Sequence, residues 1–158
     1  MNILLENGKA TFNYEIGDKL DAGIELFGFE VKALRAKRGS LEGSHVTIRG
    51  GEAFLIGASI PAYQPKNTPA EYEPERNRRL LLTKEEISSL SGGAGGKKSV
   101  AAVRKGKDLT IIPLLVYSVG RKIKVKIGLA TGKKKFDKRE TIKRRETDRD
   151  LRREFKDR

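Results

Sequence analysis

Cysteine is absent from the 158 residues, which excludes disulfide bonds and any thiolate-based metal or redox site. Histidine occurs once, as His45, too few for a histidine zinc site or a histidine dyad. No apolar run is long enough for the core of a signal peptide or for a bilayer crossing, so a soluble, cytoplasmic protein is expected. Acid is in short supply: 34 Lys and Arg stand against 21 Asp and Glu, a net charge of +13. Such an excess points to a polyanionic partner, nucleic acid before all others. An anionic membrane is the weaker alternative, because the most basic stretch lacks the wide apolar face of an interfacial helix. Self-repulsion at this charge favours a monomer.

The surplus is concentrated at the carboxy-terminal end. Residues 132–158 hold 13 Lys and Arg against 7 Asp and Glu, net +6, which leaves +7 for residues 1–131. Phe136, Ile142, Leu151 and Phe155 are the apolar side chains of this segment, too scattered to seat a helix on a core. The segment is nonetheless written as a helix. Asp137 and Glu140 have the spacing of a capping box, and Glu140–Arg144, Asp148–Arg152 and Glu154–Arg158 are acid-before-base pairs at i,i+4. An isolated helix of this kind is marginal in water. The expectation is two units: a body, 1–131, and a basic tail, 132–158, disordered when free and helical on a partner.

The body reads as short strands with few helices. Ala10, Phe12, Tyr14 and Ile16 alternate, predicting a strand over 10–16, and 22–29 reads as a second extended run. Glu30–Lys37 shifts to helical spacing and stops at Gly39. Ser44–Arg49 and Glu52–Ser59 flank Gly50-Gly51, a hairpin in which Val46 and Ile48 are paired in phase with Phe54 and Ile56. His45 then falls on the opposite face, a rim histidine rather than a catalytic one.

Pro61–Arg79 has no periodicity, carries four of the five prolines, and reads as a long surface loop ending in Arg76, Arg78 and Arg79. Thr83 and Glu86 form a capping box for a short helix to about Leu90; Glu85 and Glu86 sit where a helix dipole favours acids, so they are not read as an acid/base pair. The glycine run 91–98 lacks the Ser or Thr and the preceding strand that a phosphate-binding loop needs. Ser99–Val103 is a further candidate strand.

Leu109–Val119 is a long apolar strand in which Pro113 demands an edge or a bulge. After Gly120 the chain alternates: Ile123, Val125, Ile127 and Leu129 face inward, and Lys122, Lys124 and Lys126 form an outer row at about 6–7 Å spacing. Regularly spaced cations unbroken by acid suit a phosphate backbone. Together these features predict a mainly β fold with short helices, a small antiparallel oligonucleotide-binding (OB-like) barrel with a basic tail.

Several stretches resemble the SsrA-binding protein (small protein B) family. They are Asn7–Ala10, Tyr14–Ile16, Asp21–Ile24, Gly28–Arg35, Arg79–Leu82 with Glu86-Ile87, Gly132–Lys134 and Asp137–Arg139, all in the family's order. The resemblance implies an OB-type barrel that binds the tRNA-like domain of transfer-messenger RNA (tmRNA, or SsrA RNA) and delivers it to stalled ribosomes. The tail would enter the empty mRNA channel of the small subunit. It implies no enzyme activity, cofactor or metal. It places Asn7, Tyr14, Asp21, Leu81 and Lys124 at or near the tmRNA face, to which the lysine row adds Lys122 and Lys126. It places Lys133, Lys134, Asp137, Lys138 and Arg139 at the decoding centre, and Ile142, Lys143, Arg144 and Arg145 along the channel. Phe136 is suited to stack on an rRNA base. Asp21 stands where the family usually has Glu, Thr131 where it has Lys, and 91–98 looks inserted. A generic RNA-binding or ribosomal protein is the alternative reading. An RNA-processing enzyme would need a carboxylate cluster that the sequence does not supply.

Overall fold

The computed structural model describes residues 1–90, 109–132 and 135–156. Seven strands occur among them: β1 (Asn2–Glu6), β2 (Tyr14–Ile24), β3 (His45–Arg49), β4 (Glu52–Ile56), β5 (Arg78–Leu81), β6 (Leu109–Val119) and β7 (Lys122–Gly132). The helices are α1 (Ala10–Asn13), α2 (Gly28–Arg35), α3 (Lys84–Leu90) and α4 (Lys135–Lys156), with a 3-10 turn at Pro65–Asn67. The glycine run and the candidate strand 99–103 lie outside the described residues.

The strands run β1-β6-β3-β4-β5-β2-β7, and β7 returns to pair with β6. Every pairing is antiparallel. The result is a ring of six strands with β1 laid on β6 as a seventh, the predicted barrel-like form. Closure removes the sheet edges that would otherwise be left unpaired. Strand β6 makes this possible by dividing one side between two partners: Leu115–Ser118 pair with β1, and Ile111 pairs with Val46 of β3. Its other side pairs with β7, and the register slips between Pro113 and Leu115. Proline has no N–H to give a ladder, so a bulge there is the economical solution. Thus Pro113 marks a bulge in a central strand, not an edge.

The inward faces of the strands make one core, including Ala22, Val46, Ala53, Leu55, Leu80, Val116, Val125 and Ile127, capped by Ala33 and Leu34 of α2 and by Leu90 of α3. The hairpin of β3 and β4 turns through Gly50 and Gly51, with φ of 58° and 76°, as a two-residue turn of this hand requires. Its register differs from the sequence reading. Val46 pairs with Leu55 and Ile48 with Ala53, so Leu55 and Ala53 face inward, while Phe54 and Ile56 share the other face with His45. The turn was legible; the phase was not, because β4 is apolar on both faces.

Two local readings are corrected. Ala10–Asn13 forms a helical turn, and β2 begins at Tyr14. Ala10 is buried with Ile112 and Ala130 in a small second core outside the barrel, packed by Tyr14, Ile16 and Leu114. The extended run from Ala22 ends at Ile24, and α2 starts at Gly28, two residues before the predicted Glu30. Residues 61–79 are also not simply a surface loop, since Arg78 is completely buried.

Candidate RNA-binding faces

Four strands present one continuous outer row. Leu81 of β5 pairs with Gly23 of β2, Gly23 with Lys124 of β7, and Lys124 with Tyr117 of β6. One step along, Asp21 pairs with Lys126. Beyond Lys126 the outer positions of β7 are Gly128 and Ala130, covered by the second core; a Cβ on Gly128 would stand 2.9 Å from Ile16. The lysine row therefore ends where a second apolar layer begins.

Asp21 organises this face. Its Oδ1 accepts a hydrogen bond from the Tyr117 hydroxyl at 2.8 Å and lies 3.5 Å from the Lys126 Nζ. Burial, with the Asp21 carboxylate adding to it, pushes the Tyr117 phenol up to about 12, so it remains a donor at neutral pH. The row is not free of acid, as its strand alone suggests: Lys126 is partnered across the ladder. Among the described residues, Lys122 and Lys124 have no carboxylate within ion-pair distance.

A groove of about 700 Å³ runs between this row and the start of α3, lined by Asp21, Gly23, Lys124, Leu81 and Thr83 among others. The predicted capping box holds its far wall. Thr83 N donates to Glu86 Oε2 at 2.8 Å, and Glu86 N donates to Thr83 Oγ1 at 3.2 Å. Leu81 is 50% exposed, an apolar side chain held in the open by its place in β5. Asp21, Leu81 and Lys124 are thus brought together.

Asn7 and Tyr14 are not in that groove. They line a separate hollow of about 420 Å³ with Lys9, Asn13, Glu42 and His45. Asn7 Nδ2 donates to the carbonyl of Pro113 at 2.9 Å and to that of Leu41 at 3.5 Å. Its backbone N–H donates to the Leu114 carbonyl at 2.8 Å. Asn7 therefore braces the β6 bulge. His45 is exposed, as expected of a rim residue.

A buried network, missed in the sequence, ties α2 to β5. Glu30 has no exposed surface, and both its oxygens accept hydrogen bonds. Oε1 accepts from Phe27 N at 2.8 Å and from Arg76; Oε2 accepts from Arg78 Nε at 2.7 Å, Tyr72 Oη at 3.0 Å and Arg76 Nε at 3.2 Å. Arg78 directs its other donors to Ala58 O, Arg76 O, Pro74 O and Tyr72 Oη, at 2.8 to 3.1 Å. Burial alone would raise the Glu30 carboxyl, but the hydrogen bonds from Arg76, Phe27 and Arg78 outweigh it and hold the group below its ordinary range. The Tyr72 phenol is pushed up by burial and by the neighbouring Glu30 charge.

The tail is a single helix of 22 residues, about 33 Å long. It starts at Lys135, so Asp137 lies inside the first turn rather than capping it. Phe136, Asp137 and Lys138 fall on that turn, and Lys133 and Lys134 lie outside the described residues. Arg139, Ile142, Lys143, Arg144 and Arg145 are exposed along the helix. Arg145 stands over the Phe12 ring at 5.5 Å, linking the helix to α1. Among the described residues no helix is long and apolar enough to cross a membrane.

The family model described as "SmpB protein" matches residues 4–157. The chain belongs to the SmpB family. An SsrA-binding protein of Gloeothece citriformis is 42% identical over 154 residues, spanning 98% of this chain and 93% of that one. One from Elusimicrobium minutum is 45% identical over 150 residues, spanning 95% and 88%. A solved structure described as "tmRNA-SmpB: a journey to the center of the bacterial ribosome" is similar, with a TM-score of 0.64 and 38% identity. It covers 87% of this chain and 93% of its own. The resemblance seen in the motifs therefore extends over nearly the whole chain.

Proposed function

We propose that this chain is an RNA-binding adaptor of trans-translation. It binds the tRNA-like domain of tmRNA and carries it to bacterial ribosomes stalled on mRNA without a stop codon. The observation that carries this reading is the match over residues 4–157 to a family whose relatives are SsrA-binding proteins. The geometry supports a division of labour. The outer row supplies phosphate contacts from Lys122 and Lys124, an exposed apolar contact from Leu81, and a carboxylate, Asp21, whose Oδ2 has no partner among the described residues and can accept from a ribose hydroxyl or base amine. Phosphate contacts set position and the polar and apolar contacts read shape.

The body is 1–131 and the tail 132–158. The tail enters the vacant mRNA channel of the small subunit, with Lys133, Lys134 and Asp137–Arg139 at the decoding centre and Ile142–Arg145 along the channel. Beyond the Arg145–Phe12 contact the described side chains of its helix are almost all exposed, so it exchanges with coil when free and is fixed on the ribosome. The protein works in the cytoplasm as a monomer and acts by binding alone.

A titration against tmRNA, an elongator tRNA and an unrelated hairpin of equal length, at low and near-physiological salt, tests this reading. A preference for tmRNA that survives the higher salt is expected. Three affinities that fade together would leave a generic RNA-binding protein.

A further inference from the structure

A second basic face lies at the carboxy-terminal end of α2, apart from the groove and from the tail. Lys32, Arg35, Lys37 and Arg38 are all exposed, and no acidic residue lies between them in the chain. The helix end is fixed there by more than its own turns. Lys37 takes a left-handed φ of 59°, its N–H donates to the Leu34 carbonyl at 2.8 Å, and Arg38 N donates to Ala33 O at 3.0 Å. Arg35 Nη2 reaches the Arg121 carbonyl at 3.4 Å, which brings the β6–β7 turn, and with it the start of the lysine row at Lys122, against this end of α2.

The same face carries an aromatic ring. Tyr63 is 36% exposed, and the Arg38 guanidinium lies 5.7 Å from its ring centroid. Lys32, Arg35, Ala36 and Tyr63 line an open hollow of about 470 Å³ with no acidic lining residue, and none of the four lines the groove at Asp21 or the hollow at Asn7. A partly exposed ring, a guanidinium over it and several cations around it is the combination that holds a single-stranded nucleotide. The base stacks on the ring while its flanking phosphates meet the cations. A protein partner would call instead for an apolar centre, and Tyr63 is the only aromatic lining this hollow.

We infer that Tyr63, with Arg38, Lys32 and Arg35, forms a second RNA site that takes an unpaired nucleotide of a single strand while the groove is occupied by other RNA. This goes beyond the proposed tmRNA contacts and uses none of their residues.

The test uses the full chain saturated with unlabelled tRNA-like domain of tmRNA, titrated with a short fluorescent oligouridine and, separately, with its abasic counterpart. Binding of the oligouridine to the saturated complex is expected, with Tyr63→Ala weakening it at least about fivefold at an unchanged salt slope, and Tyr63→Phe preserving it. Lys32→Ala with Arg38→Ala is expected to weaken both probes and to flatten the salt slope. The abasic probe should bind the wild type more weakly and be indifferent to Tyr63→Ala. Equal binding of oligouridine by wild type and a folded Tyr63→Ala variant would overturn the inference, as would exclusion of the oligouridine from the saturated complex. Failure of the tRNA-like domain itself to bind would instead count against the adaptor reading, so the two outcomes are separable.

Discussion

Glu30 shows how one side chain can join distant parts of the chain. Its carboxylate collects Phe27, Tyr72, Arg76 and Arg78, so α2, the proline-rich segment and β5 are tied at one point. Glu30→Gln leaves the fully buried Arg78 without its counter-charge, and a loss of roughly 3–5 kcal/mol is expected, measured by urea denaturation. The pH dependence has a definite sign. Because the Glu30 pKa is held below its unfolded value of 4.5, its stabilisation is complete above that pH and disappears as the pH falls through the folded value. Glu30→Gln should therefore show a shallower loss of stability below pH 4.5 than the wild type. Lys124 is a residue of the other kind, without a carboxylate partner among those described and at the centre of the outer row. Lys124→Glu should weaken tmRNA binding by about 1–3 kcal/mol and flatten its salt dependence, with folding intact. Neither role follows from residue type. Arg76, Arg78 and Arg79 are neighbours in sequence, yet only Arg78 is fully buried, because alternation along β5 turns it inward.

Among the elements, those with strong local signals were legible. The Gly50-Gly51 turn, the Thr83–Glu86 cap and the alternation of β7 each fix their own geometry within a few residues. The failures are where tertiary packing decides. Ala10–Asn13 alternates like a strand, but Ala10 is drawn into the second core with Ile112 and Ala130, which are over a hundred residues away. The split of the candidate residues has the same origin. Asp21, Leu81 and Lys124 meet because three strands align, whereas Asn7 is occupied in bracing the Pro113 bulge. The most separable element is α4. On the division of labour proposed above, deleting 132–158 should leave tmRNA binding within about tenfold while abolishing tagging of truncated products in a reconstituted translation reaction. A truncated chain that still supports tagging would overturn that division.

For the molecule as a whole, the ring depends on strands far apart in sequence. Strand β6 touches β1, β3 and β7, and β7 touches β2, so removing these two opens the barrel on both sides. A fragment of residues 1–108, which keeps five of the seven described strands, should show neither cooperative thermal unfolding nor dispersed amide resonances. The barrel was legible as a class because short alternating strands and glycine turns leave few other ways to bury one face. The strand order was not, since it rests on long-range pairing that local pattern does not encode.

This connectivity constrains the birth of the protein. Strand β1 is made well before its hydrogen-bonding partner, Leu115–Ser118, and the ring waits further for β7, which ends at Gly132. At about 5–20 residues per second, the amino-terminal strand spends seconds without its partner, and the barrel shuts only as synthesis reaches the tail. The strands made earlier therefore stay without the pairings that close the ring until β7 arrives.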